Sequence, residues 1–365
     1  MTKDKRVYNF YPGPATLPLS VLEKARMELT NYRGTGMSVM EMSHRSAAVE
    51  ELITSTEKLL LELLELPAHY RVLFLQGGAS TQFYMVPLNF LPEGKSADYL
   101  VTGNFAEKAF KEAAKIGRVR AAADTKGDAY RSIPKLEDIK LDPEAAYLHL
   151  TSNNTVYGTQ WREFPCCGDI PLICDASSDI LSRRLDFTQF VLIYAGAQKN
   201  LGPAGTTVVV IREDLLEKVP QELPSMLRYD IHAAKNSLYN TPSIFAIYMV
   251  NLVLNWLKDE VGGLEEMEKI NRRKAKLIYD EIDQSNGFYR GYAAADSRSL
   301  MNVTFRLPEE ELEKKFVAAA EARGLVGLKG YRTVGGIRAS IYNAMPIEGC
   351  DSLAEFMREF REENA

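Results

Sequence analysis

A lysine near the middle of the chain occupies a position that suits covalent chemistry. In the segment FVLIYAGAQKNLGPAGTTVVVI, Gln198 and Lys199 come directly after a strand-like apolar run, and small residues connect them to the next run. Lysine forms Schiff bases, and partial removal from water lowers its pKa so that the neutral, nucleophilic amine becomes accessible. An ordinary solvated loop lysine is the alternative. The pattern therefore predicts a candidate nucleophile at Lys199.

A carboxylate ends an earlier apolar run. Asp175 closes the run PLICD, which precedes the segment that carries Lys199. Because parallel sheets bind ligands at the carboxyl ends of their strands, we expect both side chains to face one ligand. A carboxylate beside the ring nitrogen of a bound cofactor would hold a proton there and help the ring to accept electrons. Capping of a turn is the alternative, since Asp is common after strands.

The segment LFLQGGASTQF predicts a phosphate-binding turn. A strand-like run leads to Gly77 and Gly78, and Ala79 and Ser80 begin a helix-like pattern. Small residues let the backbone approach a phosphate, and the first N–H groups of a helix supply donors and a favourable dipole. The GxxxxGK[ST] pattern of a P-loop is absent, and a glycine pair before a helix is by itself a weak signal.

Two further residues could contact a planar ligand. Phe105, in TGNFAEK, could stack on a ring, although an ordinary core aromatic is an equal alternative. Thr155, in TSNNTVYGTQ, offers a hydroxyl to a ligand oxygen or a phosphate, and a turn-forming polar cluster is the alternative there. Neither residue decides between its two roles without structural context.

Two basic clusters are the candidates for binding an anionic substrate. His44 and Arg45 lie in MSHRS, before a helical pattern, and Arg332 and Arg338 lie in LKGYRTVGGIRASIYNAM. Arg338 falls inside an apparent strand, where a guanidinium is costly unless it is paired. It is therefore either half of a structural salt bridge or a bidentate clamp on a substrate carboxylate.

Short apolar runs separated by helical patterns must position these groups. The runs are RVLFL (71–75), DYLVT (98–102), AYLHL (146–150), PLICD (171–175), FVLIY (190–194) and TTVVVI (206–211). Several are apolar throughout, and helical patterns such as 106–116 lie between some of them. The chain therefore predicts an α/β fold with a mostly parallel sheet covered by helices on both faces.

The last third of the chain changes pattern and predicts a smaller α/β domain. Thr241 and Pro242 resemble the start of a helix that continues to about residue 258, and Gly262-Gly263 interrupts the pattern. A long amphipathic helix over 264–282 follows. After it come a strand (MNVTFRL), a helix (EEELEKKFVAAAEARG), a strand (GGIRASIYN) and a final helix from Ser352.

Composition excludes several classes of partner. The chain has 365 residues, 46% of them hydrophobic, and 44 basic against 49 acidic side chains give a net charge of −5. No chain-wide positive field is therefore available for nucleic acid or anionic lipid. The start of the chain has no apolar stretch of signal-peptide length, and the most apolar run, 245–257, is too short to span a membrane. The four cysteines lack CxxC spacing, so we expect no metal site and a reducing cytoplasm.

Taken together, these motifs resemble the class V aminotransferases of fold type I, essentially from end to end. The similarity is closest to the phosphoserine aminotransferase group. It rests on NFYPGPA, MSHRS, FLQGGAST, SNNTVYGTQ, DASSD, AGAQKNLGPAG, SLYNTPS, LKGYRTVGGIRASIYNAM and the acidic helical tail. The resemblance implies a large domain with a mostly parallel seven-stranded sheet over residues 16–262. A small domain would be built from 1–15 and 263–365.

The resemblance also implies pyridoxal 5′-phosphate as cofactor. Lys199 would form the Schiff base, Asp175 would face the pyridine nitrogen, Phe105 would stack on the ring, and Thr155 and Gln198 would contact the cofactor. The cofactor phosphate would be held by Ala79 and Ser80, and by Asn240 and Thr241 of a partner subunit. A homodimer with shared active sites would follow.

For the substrates, the resemblance implies L-glutamate and 3-phosphooxypyruvate, and possible use of a related four-carbon phosphorylated acid. Arg338 matches the carboxylate-binding arginine, while His44, Arg45 and Arg332 match groups around the substrate phosphate. Two positions depart from the usual pattern: Phe105 replaces a tryptophan, and Tyr331 replaces a histidine. The second change removes a potential cation from the phosphate pocket.

Three alternatives remain at this level. One is a serine or alanine glyoxylate aminotransferase of the same fold. Another is a cysteine desulfurase, which would need a reactive cysteine on a mobile loop, whereas Cys350 falls near the start of the last predicted helix. The third is a protein that binds phosphorylated metabolites without catalysis, and the presence of both Lys199 and Asp175 argues against it.

Overall fold

The computed structural model describes residues 6–365, so residues 1–5 of the predicted small domain lie outside the described part of the chain. The strands are β1 Tyr8–Asn9, β2 Tyr70–Leu75, β3 Ser96–Val101, β4 Arg118–Asp124, β5 Leu148–Thr151, β6 Asn153–Asn154, β7 Thr159–Gln160, β8 Leu172–Asp175, β9 Leu192–Gly196, β10 Thr207–Arg212, β11 Arg290–Gly291, β12 Asn302–Arg306, β13 Leu325–Val326 and β14 Ile337–Ser340. The α-helices are α1 Leu19–Glu28, α2 Ala47–Leu63, α3 Gly78–Phe90, α4 Asn104–Ala113, α5 Glu213–Leu216, α6 Tyr229–Ala234, α7 Ile244–Asn255, α8 Leu264–Asp283, α9 Glu310–Ala322 and α10 Ile347–Asn364.

A seven-stranded sheet forms the centre of the larger part of the molecule. Its order is β2-β10-β9-β8-β5-β3-β4. The strands from β9 to β4 run parallel, and β10 is antiparallel to both of its neighbours. All six apolar runs identified in the sequence overlap a strand of this sheet. The carboxyl ends of β8 and β9 are therefore neighbours, which is the arrangement that the positions of Asp175 and Lys199 require.

The edge strand β4 was not identified from the sequence. Its sequence, RVRAAAD, contains three charged residues and three alanines, and most of its residues are partly or fully exposed. An edge strand that is covered on only one side needs no continuous apolar run. Its assignment depends on pairing with β3, a contact that local periodicity does not reveal.

Two apolar layers cover the sheet. One contains the inner faces of α2 and α7, and α7 is buried along almost its whole length, which explains why its sequence is apolar on all sides. The other contains α3 and α4, packed on the opposite face of the same strands. Both cores lie within residues 21–267, so the helices hold the strand ends in place from both sides.

A three-stranded sheet, β11-β12-β14, organises the carboxyl-terminal part. Its core includes Phe305, Phe316, Phe356 and Phe360, with Phe316 lying 4.8 Å from Phe356 between ring centroids. The amino-terminal strand β1 pairs in parallel with β13, and Phe10 is buried in the same core. Residues 8–10 therefore pack with the carboxyl-terminal part.

Two helix boundaries differ from those predicted. Helix α7 begins at Ile244 after Ser243, and not at the Thr241-Pro242 pair. Helix α10 begins at Ile347 after Pro346, several residues before the predicted start at Ser352, so Cys350 is a buried residue within the first turns. The residues that precede these helices, Ser243 and Pro346, have non-helical backbone dihedral angles, so each helix begins at the next residue. Among the helices of residues 6–365, none combines the length and apolar character that a membrane crossing requires.

Candidate active site

Lys199 lies in the turn that follows β9, at the carboxyl edge of the sheet. Its Nζ donates a hydrogen bond of 2.7 Å to Thr155 Oγ1. The same nitrogen lies 5.4 Å from the ring centroid of Phe105. Burial, reinforced by the positive charge of Arg338, lowers the pKa of Lys199 from 10.5 to about 8, although Asp175 and Asp179 oppose the shift. Lys199 is therefore a partly buried amine and not the solvated loop lysine of the alternative interpretation.

Asp175 ends β8 and is 3% exposed. Burial raises the pKa of this carboxyl group, while hydrogen bonding from Ser177 and the charge of Lys199 lower it. Its Oδ1 accepts a 3.0 Å hydrogen bond from the backbone N–H of Ser177. Asp175 therefore stabilises a turn, which was the alternative interpretation, and it also interacts electrostatically with Lys199.

The glycine turn after β2 has the geometry of an anion cradle. Gly77 and Gly78 have φ values of 93° and 67°, which favour glycine. A Cβ on Gly77 would lie 1.8 Å from Thr81 Oγ1, whereas nothing lies within 4 Å of a Cβ built on Gly78. Helix α3 begins here, and its first backbone N–H groups have no partners within the helix. Ala79 and Ser80 lie in this first turn, as predicted.

Phe105, Thr155 and Gln198 surround the lysine. Phe105 lies in the first turn of α4 and is half-buried, with Lys108 on its ring as well as Lys199. Thr155 is buried, and its hydroxyl is the hydrogen-bond partner of the Lys199 amine. The backbone carbonyl of Gln198 accepts a 2.9 Å hydrogen bond from the N–H of Ala15. The amino-terminal segment therefore closes one side of the site.

Arg338 lies on β14 and is 6% exposed. Its Nε has no hydrogen-bond partner in the described chain, and its guanidinium lies 5.8 Å from the centroid of the Tyr331 ring. Burial lowers the pKa of Arg338. A buried guanidinium with an unused donor suits an anionic ligand better than the structural salt bridge considered above.

Only some of the remaining predicted residues lie together within one chain. His44 Nδ1 lies 3.1 Å from Thr241 Oγ1, and Asn240 donates a 3.1 Å hydrogen bond to Gln76 Oε1, beside the glycine turn. Arg45 and Arg332 are exposed. Within residues 6–365, no hydrogen bond or ion pair joins either arginine to Lys199. The structure thus brings His44 and Thr241 together but leaves Arg45 and Arg332 facing outwards.

Sequence reasoning missed two residues near the site, Asp179 and Gly13. Asp179 is buried, accepts hydrogen bonds from Ser152 and Gln160, and has its pKa raised by burial. Gly13 also approaches the site, because a Cβ there would lie 3.4 Å from Lys199 Cγ. The motifs DASSD and NFYPGPA contained these residues, but no spacing rule connected either one to Lys199.

Comparisons with known proteins agree with this geometry. The family model described as Aminotransferase class-V matches residues 7–353. The chain belongs to the class V aminotransferase family. The predicted family resemblance is therefore confirmed.

Similar members of this family are phosphoserine aminotransferases. The protein of that name from Niallia circulans is 59% identical over 357 residues, covering 98% of each chain. The phosphoserine aminotransferase structure from Bacillus circulans subsp. alkalophilus has a TM-score of 0.97 at 58% identity, covering 99% of each chain. A PLP-bound phosphoserine aminotransferase from Trichomonas vaginalis has a TM-score of 0.91 at 40% identity, covering 97% of this chain and 100% of that one. These superpositions confirm the predicted fold type I architecture of this class V aminotransferase.

Proposed function

We propose that the protein is a pyridoxal 5′-phosphate-dependent phosphoserine transaminase. It would transfer the amino group of L-glutamate to 3-phosphooxypyruvate, giving O-phospho-L-serine and 2-oxoglutarate, a reaction of serine biosynthesis. The single observation that carries this proposal is the Lys199 amine, with a pKa of about 8 and a hydrogen bond to Thr155 at the carboxyl edge of the sheet. The likeness to phosphoserine aminotransferases over almost the whole chain supports the choice of substrates.

The residues around Lys199 fit the proposed cofactor. The open space beside Gly78 and the free first turn of α3 suit its phosphate, with Ala79 and Ser80 in contact. Asp175 suits a protonated ring nitrogen, and the half-buried Phe105 suits stacking, with Thr155 and Gln198 as further contacts. When bound, the cofactor supplies an electron sink for the charge that remains when the substrate α-carbon loses its proton.

The chain's own residues would move that proton. Lys199 would take the proton from the substrate α-carbon as a general base and would deliver it to the C4′ carbon of the cofactor as a general acid, which a pKa of about 8 permits near neutral pH. Thr155 would orient the amine through its hydroxyl. Asp175 would remain ionised beside a positive ring nitrogen despite its burial, since an adjacent cation offsets the desolvation of a carboxylate.

The arginines would select the substrates. Arg338, buried and with an unused donor, would bind the substrate carboxylate. His44, Arg45 and Arg332 would surround the substrate phosphate. Tyr331, which replaces the usual histidine of the family, would contribute a hydroxyl in place of a cation. We also propose activity on the related four-carbon acid of pyridoxine biosynthesis, because the same groups would bind its phosphate and carboxylate.

A homodimer is part of this proposal. In this arrangement Asn240 and Thr241 of one subunit would reach the cofactor phosphate of the other. Tyr239, adjacent to this pair, is 45% exposed, and Met37 and Met40, in the segment before His44, are 45% and 57% exposed. Burial of such apolar side chains against a second copy would be favourable. Light scattering of the purified protein tests it, and a monomer with full activity would contradict it.

The domain division and location are proposed as well. We propose a large domain over 16–262 and a small domain over 1–15 and 263–365, supported by the separate apolar core that Phe10 shares with the carboxyl-terminal part. We propose a cytoplasmic location, supported by four cysteines that are all free. Small molecules are the expected partners besides the second subunit.

Replacement of Lys199 tests the central claim. We expect Lys199→Ala to abolish both turnover and the visible absorbance band that arises from the bond between the lysine and the cofactor. Lys108→Ala is the matched control, because Lys108 lies 5.2 Å from the same Phe105 ring but is exposed. The control should keep absorbance and turnover. A Lys199→Ala protein that retained both would refute the proposal.

A further inference from the structure

The loop that carries Arg332 connects Leu328 to β14 and has glycines near both of its ends. It runs from Lys329 to Gly336, and the N–H of Gly330 donates a 2.8 Å hydrogen bond to the carbonyl of Gly336 across its base. At the tip, the N–H groups of Val334 and Gly335 both donate to the carbonyl of Tyr331. A cleft of about 880 Å³ separates this loop from α9. The loop therefore needs specific tethers to hold its tip in one place.

An ion pair supplies those tethers. Arg306, at the end of β12, and Glu313, on α9, form a 2.5 Å contact between Nε and Oε1. Arg306 Nη1 then donates a 3.0 Å hydrogen bond to the carbonyl of Val334. The N–H of Gly336 donates a 3.1 Å hydrogen bond to Glu313 Oε2. Each partner of the ion pair thus holds a different residue in the second half of the loop.

The loop sequence is adapted to this close approach. A Cβ on Gly336 would lie 2.5 Å from Arg306 Cδ, and a Cβ on Gly330 would lie 1.9 Å from the carbonyl oxygen of Gly335. Gly335 and Gly336 have φ values of 70° and 69°, which favour glycine. Gly336 is therefore required by the fit of the loop against Arg306, and Gly335 is favoured by its backbone conformation.

The tethered loop leads directly into the proposed substrate site. Gly336 lies two residues before Arg338, and the N–H of Arg338 donates to the carbonyl of Leu328 at the other side of the loop base. The ring of Tyr331 lies under the Arg338 guanidinium. A change in the loop therefore alters the orientation of Arg332 and Tyr331 relative to a buried and fixed Arg338.

We propose that Arg306 and Glu313 are positioning residues that set the preference of the enzyme for a phosphorylated keto acid. The inference rests on the proposed function. The pair contacts the Arg332 loop and would not touch substrate. Glu313 is 7% exposed and the Arg306 side chain is 35% exposed, so solvent screens this ion pair less than it would screen a fully exposed pair. A displaced Arg332 would weaken contact with the substrate phosphate and leave binding of the carboxylate by Arg338 intact.

The test compares two keto acids on cofactor-loaded protein. Glu313→Gln should lower the ratio of kcat/KM for 3-phosphooxypyruvate to that for hydroxypyruvate by about tenfold. The loss should lie in KM for the phosphorylated acid, with little change for hydroxypyruvate. Hydrogen exchange of the peptide over 329–337 should become faster. Arg306→Lys keeps the charge but cannot bind Glu313 and Val334 together, so it should give the same result.

Glu311→Gln is the matched control. Glu311 lies on the same helix, forms an exposed 2.7 Å ion pair with Lys314, and does not contact the loop. It should leave both the ratio and the exchange unchanged. The inference is wrong if Glu313→Gln loosens the loop without changing the ratio, or if both keto acids lose activity equally. A wild-type enzyme with no preference for the phosphorylated acid would instead refute the proposed function itself.

Discussion

The titration of Lys199 provides the sharpest test of the site's electrostatics. With a pKa of about 8, roughly one Lys199 amine in eleven is neutral at pH 7. With the ordinary value of 10.5, the neutral fraction would be about 300-fold smaller. The difference arises because burial in the site disfavours the ammonium form. Cofactor-free protein should therefore show an unusually reactive lysine at neutral pH.

Two substitutions should move this titration in opposite directions. Asp175 raises the pKa of Lys199, so Asp175→Asn should lower it further and shift the reactivity to lower pH. Arg338 lowers that pKa, so Arg338→Met should shift the reactivity to higher pH. Opposite signs are expected because the two side chains carry opposite charges near one amine.

The assay is brief labelling of the cofactor-free protein with an amine reagent across a pH series. Mass spectrometry of the peptide that contains Lys199 then gives the labelled fraction at each pH. The midpoint should fall near pH 8 in the wild-type protein. A midpoint near 10.5, or shifts of equal sign in the two variants, would refute the reasoning.

Three further predictions concern the frame of the site. Gly77→Ala should lower the free energy of unfolding by about 1–3 kcal/mol, because Gly77 has a positive φ and a Cβ there would clash with Thr81. Thermal unfolding measures this loss, and dialysis should show weaker retention of the cofactor. Asn343→Ala should lower the free energy of unfolding in denaturant by on the order of 3 kcal/mol. The side-chain amide of Asn343 donates a hydrogen bond to the Leu181 carbonyl and accepts one from Asn271, and both groups are buried. Phe316→Ala should cost about 3–5 kcal/mol by the same measurement, since its ring is fully buried. Unchanged stability in any of the three would contradict the corresponding argument.

Much of the large sheet could be predicted because its strands are buried on both faces. Continuous apolar runs overlap six of its seven strands, and the polar residues Asp175 and Lys199 mark where two of them end. The exposed edge strand β4 gave no such signal. The start of α10 was missed because Pro346 and not Ser352 precedes its first turn. Local patterns thus identify buried elements well and edges or boundaries poorly.

The sequence alone determined which groups could do chemistry, because an apolar strand that ends in a small-residue turn places the next polar side chain at the edge of the sheet. The tertiary structure decided how those groups behave. The pKa of Lys199 depends first on its burial and then on the charges of Asp175 and Arg338, which come from other parts of the chain. Arg306 and Glu313 can hydrogen-bond to the Arg332 loop only because β12, α9 and the loop pack against one another. Such contacts join residues far apart in sequence, and only packing brings them together.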